Sequence, residues 1–516
     1  MINFSLGVDA PINGVYLNSE TIDLMSIVQC NSVENLREFV HSCSQLNISD
    51  EEMLTWRDDE LSEKKHEVFQ KYKDTLISTK ESIKDRISVV KEVLEHSGIP
   101  QNEIDSYISK FKSMDYNEIM TKLLEEHPKD YSKFATAQHR FIASERDQIK
   151  KVSYQEISQL LENLSNHNTI LIASGRYFDV RNKLYTPAVD DMQKYDFYHA
   201  KRELDFCVRN GKHARYHTLL AKQTCEKHFV GKTKDEILSE LSNFVKESID
   251  FISRYNSEHQ IDGKGIISSV DLFNEIISFD PPYKNIWQEK YGISLDELLS
   301  VFKYAEEHKP EGVTYVYNEP FLENAERRAA VIDLLRQIQN ITPNLIDTLG
   351  TQMHITMTDN LEDIKNCFED LKNLKAEQGF NIQITEFDMC LPERHIFDEH
   401  GNLNKKNSVE AILNYKHQQV NAISQIINKS GIELEGITYW SISDTLDHNV
   451  DRTNRATFSN DELHRTEIST RFAGLYQSPE RQKEFTIKQE AKENIPLMSH
   501  RAHTRTHTHV QENLER

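Results

Sequence analysis

Apolar and polar positions change their rhythm near residue 168. Ahead of that point, from about 48 to 165, apolar residues recur at three- and four-residue spacing among many charges, as in Ile83, Ile87, Val90 and Leu94, then Ile104, Ile108 and Phe111. This period is helical. Ser49 with Glu52 has the form of a capping box, and Gly98-Ile99-Pro100 stops a run. Residues 1–47 show no clear period and are expected to be irregular, while 48–165 are expected to form a charge-rich helical module.

Beyond 168 short strand-like runs alternate with helical stretches. The strands are expected at Thr169 to Ala173, Ala214 to Leu220, Ile267 to Phe273, Val313 to Tyr317, Thr348 to His354, Asn381 to Thr385 and Gly436 to Ser441. Between them, Ile237, Leu241, Phe244 and Val245, then Val331, Leu334, Leu335 and Ile338, then Leu361, Ile364 and Phe368 repeat at helical spacing, as do the groups around Leu298 and Ile412. Strand followed by helix, repeated, implies a parallel sheet with helices outside it. Seven strands over about 275 residues favour a closed (β/α)8 TIM barrel over an open sheet, with the eighth strand near Lys183 to Thr186. The expected class is therefore α/β: a barrel over 168–487 preceded by a mainly α-helical N-terminal region. A polar tail over 488–516, with His500, His503, His507 and His509, is expected to be disordered.

Charge narrows the choice of partner. With 516 residues and a net charge of -22, the chain lacks the basic clusters that phosphate binding requires, so a nucleic-acid partner is not expected. Six cysteines without CxxC spacing are expected to be reduced core thiols. The N-terminus has no basic cluster ahead of an apolar core, and no window approaches about 18 apolar residues. No signal peptide or membrane span is expected, so the protein is placed in the cytoplasm or on a non-classical export route. No metal or other cofactor is called for.

Reading the residue at the C-terminal end of each expected strand gives His217, Asn274 with Glu275, Asn318 with Glu319, Gln352 with His354, Glu386 with Asp388, and Trp440 with Asp444. Barrel enzymes build their sites on that rim. Glu275 and Glu386 end two apolar strands about three strand-helix units apart, hence across the barrel mouth. Two carboxyls roughly 5 to 5.5 Å apart are what retaining cleavage of a glycosidic bond needs, one to protonate the leaving oxygen and one to attack the anomeric carbon.

From about 168 to 487 the chain resembles glycoside hydrolase family 10, the retaining endo-β-1,4-xylanases. The resemblance rests on Val270-Asp271-Leu272-Phe273-Asn274-Glu275, on Ile382-Gln383-Ile384-Thr385-Glu386-Phe387-Asp388 and on Ile346 to His354, supported by Arg215-Tyr216-His217-Thr218-Leu219, Tyr317-Asn318-Glu319 and Gly436 to Asp444. It implies that Glu386 is the nucleophile, kept ionised by a hydrogen bond from His354, and that Glu275 is the acid/base. It further implies that Asn274 holds the sugar 2-hydroxyl, that His217, Gln352 and Trp440 position the same sugar, and that Asn318 and Lys194 are further sugar contacts. The implied function is hydrolysis of xylan or a related plant-type glycan by double displacement.

The chain also departs from the family pattern. Ala221-Lys222 stands where Trp-His is usual, His448 where a second tryptophan closes over the sugar, and the strand-two motif survives only as Thr186-Pro187 through Asp190-Asp191-Met192-Gln193-Lys194-Tyr195. Two alternatives stay open: the same machinery with a different β-glycan specificity, and a barrel kept as a carbohydrate- or protein-binding scaffold whose helical N-terminal region engages a protein partner.

Overall fold

Runs such as Thr169-Ile170-Leu171-Ile172 and Tyr315-Val316-Tyr317 are buried at consecutive positions, as suits parallel strands covered on both faces. The computed structural model describes residues 12–43, 46–80, 152–165, 167–181, 195–227, 229, 231–356, 359–390 and 409–440. In it eight such strands lie side by side: β1 (Ile12–Tyr16), β2 (Thr169–Ile172), β3 (His213–Tyr216), β4 (Ile267–Asn274), β5 (Thr314–Glu319), β6 (Thr348–Thr351), β7 (Asn381–Cys390) and β8 (Gly436–Tyr439). Each pairs in parallel with the next in chain order, and β8 pairs with β1, Ile12 opposite Gly436 and Val15 opposite Tyr439. The sheet is thus the closed (β/α)8 barrel expected from the alternation, and all seven expected strands are present.

The eighth strand is not where the sequence suggested. Lys183 to Thr186 lies outside the described residues, and β1 fills the remaining place between β8 and β2. The described residues within 1–47 are therefore not irregular: besides β1 they contain helices Ser19–Gln29 and Val33–Ser42. Five residues are too few to reveal a period, and Gly14 in the middle dilutes what there is. Its hydrogen is what the packing requires, because a Cβ there would come within 2.8 Å of Thr438 Oγ1 on β8.

The helices between strands follow ordinary rules. Helix Lys234–Glu258 opens with a complete capping box between Thr233 and Glu236 and buries Ile237, Leu241, Phe244, Val245, Ile249 and Ile252. The cap contributes about 1 kcal/mol, and each fully buried aliphatic or aromatic side chain about 1.5–3 kcal/mol. In its last turn the Asn256 amide bonds both the N–H and the C=O of Ile267, tying the helix to the start of β4. Helix Leu361–Gln378 is capped by Asn360 and stops at Gly379, which takes a left-handed φ of 79°.

The described residues divide into two compact units. The barrel draws on residues 12–22 and 163–440. The second unit, within 23–162, contains helices Val33–Ser42, Asp50–Leu54 and Leu61–Lys80, packed through Leu36, Phe39, Met53, Trp56, Phe69 and Tyr72. Ser49 caps the Glu52 N–H, but the Glu52 carboxylate turns to Lys71, so only half of the expected capping box forms. The helices expected through Ile83 to Leu94 and from Ile104, and the tail over 488–516, lie outside the described residues. Cys30, Cys43, Cys207, Cys225 and Cys367 are buried, as core thiols should be. Among the described residues no helix is long and apolar enough to cross a membrane.

Gly350 on β6 offers a test of how tightly the barrel interior is filled. A Cβ at this position would lie 2.5 Å from Thr385 Cγ2 and 2.9 Å from Asn318 Oδ1. Gly350→Ala is expected to lower stability by about 1–3 kcal/mol, read from the urea midpoint. An unchanged midpoint would mean that the wall has slack at this level.

Candidate functional site

Because all eight strands run the same way, their C-terminal ends share one rim. Asn274 ends β4 and Glu275 follows it; Asn318 and Glu319 end β5; Gln352 follows β6, and His354 opens the three-residue strand His354–Thr356; His217 follows β3 and Trp440 follows β8. Glu386 and Asp388 were expected just past the end of a strand, yet β7 continues to Cys390. The pairing of β7 with β8 shifts register between Ile384 and Phe387, so Glu386 sits at an irregularity that re-aims its side chain while its N–H still bonds Gln352 O at 3.1 Å. Three strand ends are followed by a non-glycine residue with left-handed backbone: Glu275 (φ 57°), Phe321 (φ 58°) and Met353 (φ 59°). Each costs about 1–2 kcal/mol and needs surroundings that enforce it.

One chain of hydrogen bonds links the two carboxyls. Asn318 Nδ2 donates to Glu386 Oε1 at 2.6 Å and to Asn274 Oδ1 at 2.9 Å. Gln352 Nε2 donates to the same Asn274 oxygen at 3.2 Å and to Glu275 Oε1 at 2.9 Å. Asn318 was expected to contact sugar. It is 0 % exposed and accepts the Thr385 hydroxyl at 2.5 Å, so in this structure its amide is committed to protein groups.

The two carboxyls differ in setting. Glu386 is 2 % exposed, whereas Glu275 is only partly buried. Burial alone would push the Glu386 carboxyl up. The hydrogen bond from His354 and the electrostatic influence of the neighbouring His217, His354 and Arg215 outweigh it and hold the carboxyl below its ordinary value. His354 Nε2 lies 3.0 Å from Glu386 Oε2, and its Nδ1 lies 3.1 Å from Asp388 Oδ1, an ion-pair distance whose angle falls short of a hydrogen bond. Burial opposes the charge on this imidazole, but Asp388 and Glu386 on either side raise it well above its ordinary value, so it stays an imidazolium.

A second buried network supports His217. Arg215 on β3 binds both oxygens of Asp271 on β4 at 2.9 and 2.8 Å and reaches Thr385 O at 3.2 Å, and His217 Nδ1 meets Asp271 Oδ2 at 2.6 Å. Trp440 stacks on Tyr16 at 4.5 Å between ring centroids and presents its ring at steep angles to His354 and His217. Arg215, Asp271 and Tyr16 were not singled out from sequence. The first two carried a signal, since an arginine and an aspartate inside apolar strands need each other.

Lys194 and His448 lie outside the described residues, as does the stretch from Thr186 to Lys194 read as the strand-two motif. Strand β2 is Thr169–Ile172, so the residues that continue from it toward the rim are Ala173, Ser174 and Gly175. Ala221 ends the two-residue strand Leu220–Ala221 and pairs with Asn274. Its neighbour Lys222 is 6 % exposed, with Nζ 3.5 Å from the centroid of the Phe279 ring, a cation–π contact. Among the described residues no group of three His, Cys, Asp or Glu is placed to hold a metal ion.

The charge on His354 is testable through pH. Because Glu386 is held ionised by the fold, its favourable contribution is present above the ordinary carboxylate range and is lost as pH falls through its lowered value. His354→Gln keeps an N–H donor but removes the charge, and is expected to move the acid limb of kcat/KM to higher pH. A limb left in place would exclude His354 as the group that holds the carboxyl ionised.

Comparison with known proteins gives the family. A family model described as Glycosyl hydrolase family 10 matches residues 123–467, a range that leaves out β1. A β-1,4-xylanase of Dictyoglomus thermophilum is 28% identical over 251 residues, covering 48% of this chain and 66% of its own length. Endo-1,4-beta-xylanase A of Thermoanaerobacterium saccharolyticum is 26% identical over 263 residues, covering 48% of this chain but only 20% of its own. Among solved structures, a GH10 endoxylanase retrieved from sugarcane soil metagenome has a TM-score of 0.50 at 16% identity, covering 62% of this chain and 92% of that one, a likeness of fold.

Proposed function

Because the chain belongs to glycosyl hydrolase family 10, we propose that it is a glycosidase that cleaves β-1,4 bonds within xylan or a related plant-type glycan by double displacement. The observation that carries this reading is the contrast between two linked carboxyls: Glu386 buried and held ionised, Glu275 on the more open side of the same hydrogen-bond chain.

In this mechanism Glu386 attacks the anomeric carbon while the Glu275 carboxyl gives its proton to the glycosidic oxygen, so the C–O bond breaks as the ester to Glu386 forms. Glu275, now a carboxylate, takes a proton from water, and the water oxygen displaces Glu386 to release a sugar of unchanged anomeric configuration. Asn274, oriented by Asn318 and Gln352, would hold the 2-hydroxyl next to the reacting carbon. His217, fixed by Asp271, and the Trp440 face would position the same sugar. A different β-glycan specificity on the same machinery is a second reading, favoured by Ala221 beside Asn274 where the resemblance calls for tryptophan.

The test uses xylan, xylo-oligosaccharides and matched cello- and manno-oligosaccharides. Cleavage of the xylose series with the β-anomer as first product by NMR is expected; Glu386→Ala should abolish turnover, and Glu275→Ala should lower it on xylan by about 10²–10⁴-fold. An α-anomer as first product would overturn double displacement. Preference for another glycan would move the substrate assignment to the second reading.

A further inference from the structure

The loop that leaves β4 carries Glu275 at its first position, and the residues just after it are held at their backbone by one buried ion pair. Glu319 Oε1 accepts the Ile277 N–H at 3.1 Å and the Tyr317 hydroxyl at 2.7 Å, while Glu319 Oε2 accepts Arg327 Nη2. Arg327, in the first turn of helix Ala325–Ile341, also donates to the carbonyls of Ile277 at 3.2 Å, Pro320 at 2.9 Å and Ser278. The Phe279 ring covers the guanidinium at 5.1 Å. Glu319 and Arg327 are 0 % and 1 % exposed, and every polar contact named for them here is to protein. On the other side, the Glu275 N–H bonds Asn318 O at 3.0 Å. A non-glycine residue at φ 57° between two such anchors is a backbone set by its surroundings.

We propose that the Glu319–Arg327 pair is a positioning device for Glu275: it fixes the backbone that aims the carboxyl, and so governs proton delivery to the leaving oxygen more than sugar binding or attack by Glu386. This rests on the acid/base reading of Glu275. Arg328, the next residue, makes the useful contrast. It is equally buried, but it bonds Asp370 and the carbonyls of Leu322 and Glu323, and none of these lies in the Glu275 loop.

The experiment measures kcat/KM for aryl β-xylobiosides whose leaving phenols run from dinitrophenol to phenol, with wild type, Glu275→Ala, Arg327→Lys, Glu319→Gln and Arg328→Lys. This parameter ends at glycosylation, and dinitrophenolate departs without a proton. Arg327→Lys and Glu319→Gln are expected to lose about 10–100-fold on phenyl xylobioside and less than about threefold on the dinitrophenyl compound, a milder copy of Glu275→Ala. Turnover of the dinitrophenyl compound also shows that a variant is folded; should Arg327→Lys fail to fold, Glu319→Gln, of nearly the same volume, carries the test. Arg328→Lys should show no dependence on the leaving group. Equal loss across the series in both variants, as for a general loss of stability, would overturn the proposal. A flat series for Glu275→Ala itself would instead overturn the acid/base reading, and the proposal with it.

Discussion

A carboxylate taken out of water loses hydration worth several kcal/mol, and the rim of this barrel is built around compensating that loss at Glu386. Asn318 and His354 supply donors to its two oxygens, and Arg215 adds positive potential from further off. Each donor then needs its own support. His354 keeps its charge because Asp388 stands on its far side. Arg215 and His217 share Asp271. Asn318 can face Glu386 because Thr385 satisfies its oxygen, and those two side chains meet where Gly350 leaves room for them. What looks like a list of polar residues is one connected solution to a single desolvation problem, in which half-satisfied members would be worse than none.

The same network makes the two carboxyls unequal, and inequality is what two-step glycoside cleavage uses. A group that must attack benefits from being held ionised in a dry, preorganised setting. A group that must give and later take a proton needs access to water and a well-fixed aim. Glu275 has both, through its partial exposure and through anchors at Asn318, Gln352 and the Glu319–Arg327 pair.

Seven of the eight strands were legible because long helical periods separate them, and the rim residues followed from asking what ends each strand. β1 was not, since Ile12–Tyr16 is separated from β2 by about 150 residues that contain a unit of their own, and a lone five-residue strand has no alternation to betray it. Tyr16, the stacking partner of Trp440, was lost with it. Asn318 was placed at the rim, but its bonds to Asn274, Glu386 and Thr385 were not legible, because sequence locates a side chain along a strand without saying which neighbours it meets. Arg327 was out of reach for a different reason: it sits in a helix, where an arginine is ordinarily solvated, and only the fold brings it beneath the Glu275 loop. Where the resemblance calls for Trp-His, the chain has an ammonium tucked over Phe279 at Lys222 and a methyl at Ala221, which pairs with Asn274.

The central claim is that Glu386 forms a covalent bond to the sugar. Incubation with a 2-deoxy-2-fluoro-β-xylobioside bearing a good leaving group slows the second displacement more than the first, so the ester accumulates and can be located by peptide mass spectrometry. The account predicts one fluoroxylobiosyl adduct per chain, on the peptide that contains Glu386, and its disappearance when the natural substrate is added in excess. An adduct on another carboxylate, or inactivation without any adduct, would contradict it.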